Sequence, residues 1–398
     1  MEVFEYVLRE RGTRPKAPLG LTSLEQAEKT ARFHAGLPGY APTPLAALDA
    51  LAGKLGVAKV WVKDESKRFG LNAFKALGGS YAMGEYLAQK LGEPLEKLTF
   101  DRLCSPQARR AIGEVTFVTA TDGNHGRGVA WSARLLGQKA VVYMPKGSAR
   151  ERLENIRAQG AQAEITSCNY DGAVRLADKM GRENGWVLVQ DTAWPGYEEI
   201  PARIMQGYTT LAREIAGQLK EMGEEKPTHL LLQAGVGSFA GAALGYFTAL
   251  WGEERPVTAI VEPDKANCLY RSAKADDGKL RFVTGDMDSM MAGLCCGEPC
   301  TISWEILDSY ADAFLCCGDG YAARGMRLLG RPEGGDPAVV SGESGAVTAG
   351  VLEAILTEER LEGLRRGLGL DERSRVLLVS TEGDTDRDNY RRILEEEA

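Results

Sequence analysis

The decapeptide Thr119-Ala120-Thr121-Asp122-Gly123-Asn124-His125-Gly126-Arg127-Gly128 lies between a short apolar run, Thr116-Phe117-Val118, and the sequence Val129-Ala130-Trp131-Ser132-Ala133. The first flank reads as a strand and the second as a helix, so the ten residues form a strand-to-helix turn. The first amides of a helix have no intrahelical partner, and the helix dipole favours an anion beside them. A plain turn needs little more than a glycine and an asparagine. This one adds hydroxyls, a carboxylate and two further glycines, and it reads as a ligand loop.

Outward from that turn, strand and helix patterns alternate steadily. Strands are predicted at 115–119, 139–143, 163–166, 187–190, 228–232, 257–261, 313–316 and 375–380, each followed by a helical pattern, the longest at 201–221. Such alternation argues for an α/β fold built of βαβ units with parallel sheet. Open sheets of that kind bind ligands beyond the carboxyl ends of their strands. The polar loops after 119, 190, 232 and 380 are therefore the expected functional loops. Upstream, Ser23-Leu24-Glu25-Gln26 reads as a capping box opening a helix to about Phe33. A helix ending at Gly56 and a strand at Lys59–Lys63 follow, and Ala76–Leu91 reads as helix. The first forty residues look peripheral, and 92–114 shows no periodicity to interpret. Without a linker rich in Pro, Gly or Ser, two domains must be interleaved and not tethered.

Composition sets the outer limits. A chain of 398 residues suggests two or three domains and can bury a sizeable core. Its 44% hydrophobic and 26% charged content is that of a soluble globular protein. The net charge of -8, without a basic stripe, argues against nucleic-acid and anionic-membrane partners. No run is long and apolar enough for a membrane span, and the acidic start lacks a leader pattern, so a cytoplasmic location is expected. The cysteines form no C-x-x-C pair and His34, His125 and His229 are scattered, so no metal site is expected. Buried thiols are the expectation, with pairing among Cys268, Cys295, Cys296 and Cys300 left open.

Four loops carry the chemistry. Lys75 opens a predicted helix, where lysines are usually solvated, but Phe74 and Ala76-Leu77-Gly78-Gly79 would bury its stem. Burial lowers a lysine pKa and supplies the free amine needed for a Schiff base. In the opening turn, Asp122 can act as a general base and Asn124 as a donor to a ring oxygen, while Thr121 and the loop amides can hold a carboxylate. Alone, Asp122 would read as a turn or N-cap aspartate. Gln233-Ala234-Gly235-Val236-Gly237-Ser238-Phe239-Ala240-Gly241 follows a strand and can cradle a phosphate on backbone amides and the Ser238 hydroxyl. The last loop is Val379-Ser380-Thr381-Glu382-Gly383-Asp384-Thr385-Asp386. Gly235, Gly237 and Gly241, with Glu262 further on, also approach a dinucleotide fingerprint. A nicotinamide oxidoreductase is thus a remote alternative, though the glycine spacing is one residue too long and Lys75 goes unused.

Together these loops resemble the fold-type II family of pyridoxal-phosphate enzymes, which includes threonine and serine dehydratases, serine racemase, threonine synthase and cysteine synthase. Within it, Val62–Lys75, Thr121–Gly128, Gln190-Asp191-Thr192-Ala193-Trp194 and Ser380–Asp386 are most similar to the ammonia-lyases of 2,3-diaminopropionate. The resemblance spans about Tyr40 to Tyr390. It implies two interleaved, open, twisted, mostly parallel sheets with helices on both faces. The large domain would comprise 1–78 and 186–398, and the small domain 79–185. By position, it implies Lys75 as the lysine bonded to pyridoxal 5'-phosphate, with Phe74 lining the ring and Asn124 on the phenolic oxygen. Gly235, Val236, Gly237 and Ser238 would hold the phosphate, Thr381 would meet the pyridine nitrogen, and Glu343 would lie near the ring. Thr121, Asp122, His125 and Asp191 would face a small amino-acid substrate. The family usually forms homodimers.

The departures from the family pattern point to the reaction. Asp122 stands where common dehydratases carry Ser or Ala, and a carboxylate opposite Lys75 can take an α-proton the lysine cannot reach. That fits α,β-elimination from both D- and L-2,3-diaminopropionate, yielding pyruvate and two ammonia. Asp191 is a second unusual carboxylate, suited to a substrate ammonium. A serine or threonine dehydratase or a β-replacement enzyme is the nearer alternative, and a catalytically silent cofactor-binding regulator is disfavoured by the intact Lys75 and Asp122.

Overall fold

Among residues 2–396, which the computed structural model describes, eleven strands form two sheets. They are β1 (Phe4–Leu8), β2 (Leu45–Ala47), β3 (Lys59–Asp64), β4 (Thr116–Ala120), β5 (Lys139–Met144), β6 (Gln162–Ile165), β7 (Val187–Leu188), β8 (His229–Gln233), β9 (Val257–Pro263), β10 (Ala313–Cys317) and β11 (Arg375–Ser380). The larger sheet has the order β1-β10-β9-β8-β11-β3-β2 and the smaller β6-β5-β4-β7. Every pairing is parallel except those of β1 with β10 and β2 with β3 at the two edges of the larger sheet. Helices cover the sheets, so β8 and β10 are buried along their whole length. That is why they read as continuous apolar runs and not as alternating ones.

The predicted inner strands occur within a residue or two of their expected positions. The first forty residues, expected to be peripheral, are not: β1 pairs along the whole of β10, from Phe4 opposite Cys317 to Leu8 opposite Ala313. An edge strand with one face open to water lacks the apolar run that marks a buried one. The helix predicted from Ser23 spans Leu24–Ala35, and the Ser23 side chain caps the Gln26 amide at 3.2 Å. Within 92–114 lie two short helices, Phe100–Leu103 and Pro106–Ile112, capped by Thr99 and Ser105. Neither is long enough to display a period in sequence.

Close helix contacts bring the two sheets' loops together. The helices Ala76–Leu91 and Glu199–Glu221 cross at glycines on both sides. A Cβ on Gly78 would lie 2.6 Å from Ile204 Cγ2, and one on Gly207 would run into the Leu77 carbonyl. The helix Asn124–Leu135 is seated equally tightly, for a Cβ on Gly128 would lie 2.9 Å from the amide nitrogen of Ala76. Gly128 therefore lets the opening turn dock directly on the residues that follow Lys75.

Candidate active site

Loops from the carboxyl ends of β3, β4, β7, β8 and β11 converge on a single cleft. Twelve of the thirteen residues singled out in sequence line it: Phe74, Lys75, Thr121, Asp122, Asn124, His125, Asp191, Gly235, Val236, Gly237, Ser238 and Thr381. Glu343 does not. It lines an adjoining cavity with Arg152, Asp386 and Asn389, and its carboxylate accepts from the Asn389 amide. The acid that lines the inner cleft is Glu382.

The segment carrying Lys75 rests on a buried network of charges. Arg68 donates to Glu65 at 2.8 and 2.9 Å and to Glu214 at 2.7 and 2.8 Å, and Lys63 donates to Glu214 at 2.7 Å. All four side chains are buried, and the two cations balance the two carboxylates. Above them the backbone takes left-handed conformations at Phe69 (φ 51°) and Asn72 (φ 60°), each of them costly for a side-chain-bearing residue. Hydrogen bonds from Phe74 N to Thr381 O (3.2 Å) and from Gly383 N to Asn72 O (3.0 Å) tie this segment to the loop after β11. Lys75 and Thr381 are thereby held in fixed register across the cleft.

Lys75 departs from the sequence-based expectation in one respect. Burial does press its pKa downward, but the Asp191 carboxylate hydrogen-bonded to Nζ outweighs that effect and raises the ammonium above its ordinary value. Asp191 shows the reciprocal effect. Burial favours its acid form, yet the Lys75 ammonium holds it down to about 2. The free amine anticipated from burial alone is therefore an ion pair in this structure. Phe74 packs between Tyr208 and Phe239 at tilted angles, with ring centroids 4.7 and 4.9 Å away, and Lys75 Nζ lies 5.3 Å from the centre of the Phe74 ring.

Opposite, Gly237 has φ 98°, a left-handed conformation that favours glycine, and it caps the helix Ser238–Trp251. The Gly235–Ser238 backbone thus presents a helix N-terminus to the cleft, suited to a phosphate. Ser238 Oγ donates to the Asp191 carbonyl at 2.5 Å, which links this loop to Asp191. Gln233 Nε2 donates to Thr381 Oγ1 at 3.0 Å, leaving the threonine O–H free to donate to a ring nitrogen. Asn124 Nδ2 donates to Glu382, whose carboxyl burial pushes up against the pull of the Arg152 guanidinium. Asp122 lies at the border of the inner cleft and the adjoining cavity, with Arg152 Nη1 3.3 Å from its Oδ2.

Residues that sequence reasoning passed over include Gln233, Glu382, Tyr170 and Arg152. The first two lie at the end of β8 and in the loop after β11, where neighbouring residues carry the recognisable chemistry, and no local pattern marks Tyr170. Arg152 falls in Arg150-Glu151-Arg152, which looks like any solvated helix face. Glu262, the candidate ribose ligand, is fully buried and accepts from the amides of Leu269 (2.9 Å) and Tyr270 (2.6 Å). Its carboxylate is taken up by the first amides of the helix Cys268–Ala275 and does not line this cleft, which removes the dinucleotide reading. All eight cysteines are free thiols.

The cleft fits pyridoxal phosphate on its own terms. It joins an amine, a hydroxyl donor, a glycine-lined helix N-terminus and two buried polar atoms without partners, Gln233 Oε1 and His125 Nδ1. Fold and cleft define a fold-type II pyridoxal-phosphate enzyme, and the family described as pyridoxal-phosphate dependent enzyme matches residues 37–381. The chain is 53% identical over 379 residues to the diaminopropionate ammonia-lyase of Salmonella typhimurium, covering 95% of this chain and 94% of that protein. It superposes on the holo diaminopropionate ammonia lyase of Escherichia coli with a TM-score of 0.92, at 49% identity and with 99% of this chain and 97% of that one covered. The same Escherichia coli protein in complex with D-serine gives 0.91, at 48% identity and the same coverage. The chain belongs to the pyridoxal-phosphate-dependent enzymes and, within them, to the diaminopropionate ammonia-lyase family.

Proposed function

We infer that this chain eliminates ammonia from 2,3-diaminopropionate of either configuration, giving pyruvate and two ammonia. The observation that carries the reading is a single cleft that contains Lys75, held by Asp191, together with a second carboxylate, Asp122. Bound through Lys75, pyridoxal phosphate supplies the electron sink that makes an α-proton labile. Phe74 would line the ring, Asn124 would donate to the phenolic oxygen, and Gly235, Val236, Gly237 and Ser238 would hold the phosphate. Thr381 offers a hydroxyl where an acid would keep a pyridine nitrogen protonated. Elimination tolerates that weaker sink because the leaving group carries away the electron pair.

The remaining residues divide the work on the substrate. Thr121 and the amides of its loop hold the α-carboxylate. Lys75 takes the α-proton of the L isomer and Asp122 that of the D isomer, because a base must lie within hydrogen-bond reach of its proton. Asp191 holds the β-ammonium. The β-nitrogen departs as ammonia, and water hydrolyses the resulting enamine to pyruvate and a second ammonia. In this reading the enzyme is a cytoplasmic homodimer, and light scattering should return twice the chain mass. Supplying D- and L-2,3-diaminopropionate, serine and O-acetylserine in parallel and measuring pyruvate tests the function. Preference for both diaminopropionate isomers is expected. Equal or faster turnover of serine would place the chain with the dehydratases instead.

A further inference from the structure

The chain has three histidines, and in two of them both ring nitrogens are engaged. His34 meets Thr210 Oγ1 (2.7 Å) and the Leu77 carbonyl (3.0 Å). His229 meets Thr228 Oγ1 (2.8 Å) and the Leu368 carbonyl (2.9 Å). His125 differs. Its Nε2 lies 2.7 Å from the Val189 carbonyl, while its Nδ1 is buried without a partner. A carbonyl only accepts, so Nε2 carries the proton and Nδ1 of the neutral ring is a bare lone pair. That lone pair faces the cleft 3.9 Å from Asp191 Oδ2. Burial, aided by the charge of Lys75, lowers the His125 pKa and keeps the ring neutral.

Two acceptors thus face one another with no proton between them. Lys75 is the cation that Asp191 holds in this structure, and among the described residues His125 Nδ1 has no donor. We propose that His125 Nδ1 and the Asp191 carboxylate form the specificity subsite for the β-ammonium of the substrate. This role rests on the function inferred above, whose substrate the subsite selects. An ammonium brings three N–H donors and a positive charge, enough for both acceptors. The β-hydroxyl of serine brings one O–H, so it leaves one buried acceptor unpaired and a buried carboxylate without a counter-charge. The subsite also keeps the β-nitrogen protonated. From that state the C–N bond breaks with its electron pair going to nitrogen, and neutral ammonia leaves.

The test uses the cofactor-loaded enzyme and two ligands without an α-proton, α-methyl-2,3-diaminopropionate and α-methylserine. Both bind without turning over, and the visible absorption of the enzyme reports their affinities. His125→Gln places an amide near the Nε2 position, retaining a donor to Val189 but deleting the Nδ1 acceptor. His125→Asn places an oxygen near the Nδ1 position. Affinity for the diamino ligand should fall about tenfold or more in the Gln variant, as expected for a lost hydrogen bond to a charged group, and recover in the Asn variant. The α-methylserine affinity should move by less than about threefold in both. With only three histidines, ¹⁵N NMR can follow Nδ1 of His125 directly. Its unprotonated resonance should shift when the diamino ligand binds and stay in place with α-methylserine.

A preference for the diamino ligand that survives in the Gln variant, or an Nδ1 resonance indifferent to it, overturns the proposal and leaves the inferred function intact. Failure of the wild type to release pyruvate from diaminopropionate overturns the inferred function instead.

Discussion

Replacing Glu214 with glutamine tests whether the buried charges beneath Lys75 hold the site in place. Glu214 accepts from Lys63, from both terminal nitrogens of Arg68, from Tyr40 Oη (2.9 Å) and from the Thr43 amide (3.2 Å), and it is only 4% exposed. Glutamine keeps the shape but removes the charge, leaving Lys63 and Arg68 to share Glu65. Breaking a buried pair in this way costs about 3–5 kcal/mol. The ionisation of Glu214 points in the same direction. Burial opposes its ionisation, yet Arg68 and Lys63 hold its pKa at about 2.

The sign sets the pH window. The folded-state pKa is depressed, so the contribution is complete above about pH 4.3 and fades as pH falls toward 2. Urea unfolding followed by tryptophan fluorescence should show Glu214→Gln about 3 kcal/mol less stable at pH 7. The gap should narrow below pH 4. A difference below about 1 kcal/mol at pH 7 would refute the reasoning, as would one that does not change on acidification.

Three further outcomes are expected. Asp122→Asn should lower kcat/KM for D-2,3-diaminopropionate by about 10²–10⁴-fold and affect the L isomer far less, and pyruvate release from the separate isomers checks it. Gly207→Ala drives a methyl into the Leu77 carbonyl at the helix crossing. It should cost about 1–3 kcal/mol in urea unfolding, where Gly217→Ala, with open space around its Cβ, should cost nothing measurable. Asp191→Asn removes the counter-charge of Lys75 in a buried cleft, so the lysine pKa should fall in the cofactor-free protein. The pH dependence of Lys75 modification by an amine reagent reads that shift, and an unchanged profile would contradict the ion pair described above.

The sequence was most informative where burial was uniform or where backbone geometry demanded particular residues. β8, β10 and β11 carry continuous apolar runs at their centres because they are buried there, and the opening turn has a glycine at 128 because a Cβ there would meet Ala76. Twelve of the thirteen site residues sit on such turns, and they share one cleft. What was missed depends on contacts distant in sequence. β1 is a half-exposed edge strand that only its pairing with β10 defines. The ionised state of Lys75 depends on Asp191, 116 residues away in the chain. Resemblance alone puts Glu343 near the ring, while Glu382 lines the inner cleft. Glu262 has the right spacing for a ribose ligand, yet it caps a helix.

Reduction with borohydride followed by peptide mapping tests the role of Lys75 most directly. The account predicts that the purified, cofactor-loaded protein carries the reduced pyridoxyl group on Lys75, and that Lys75→Ala neither takes the label nor releases pyruvate. A label on a different lysine, or none at all on a protein that still turns over diaminopropionate, would contradict it.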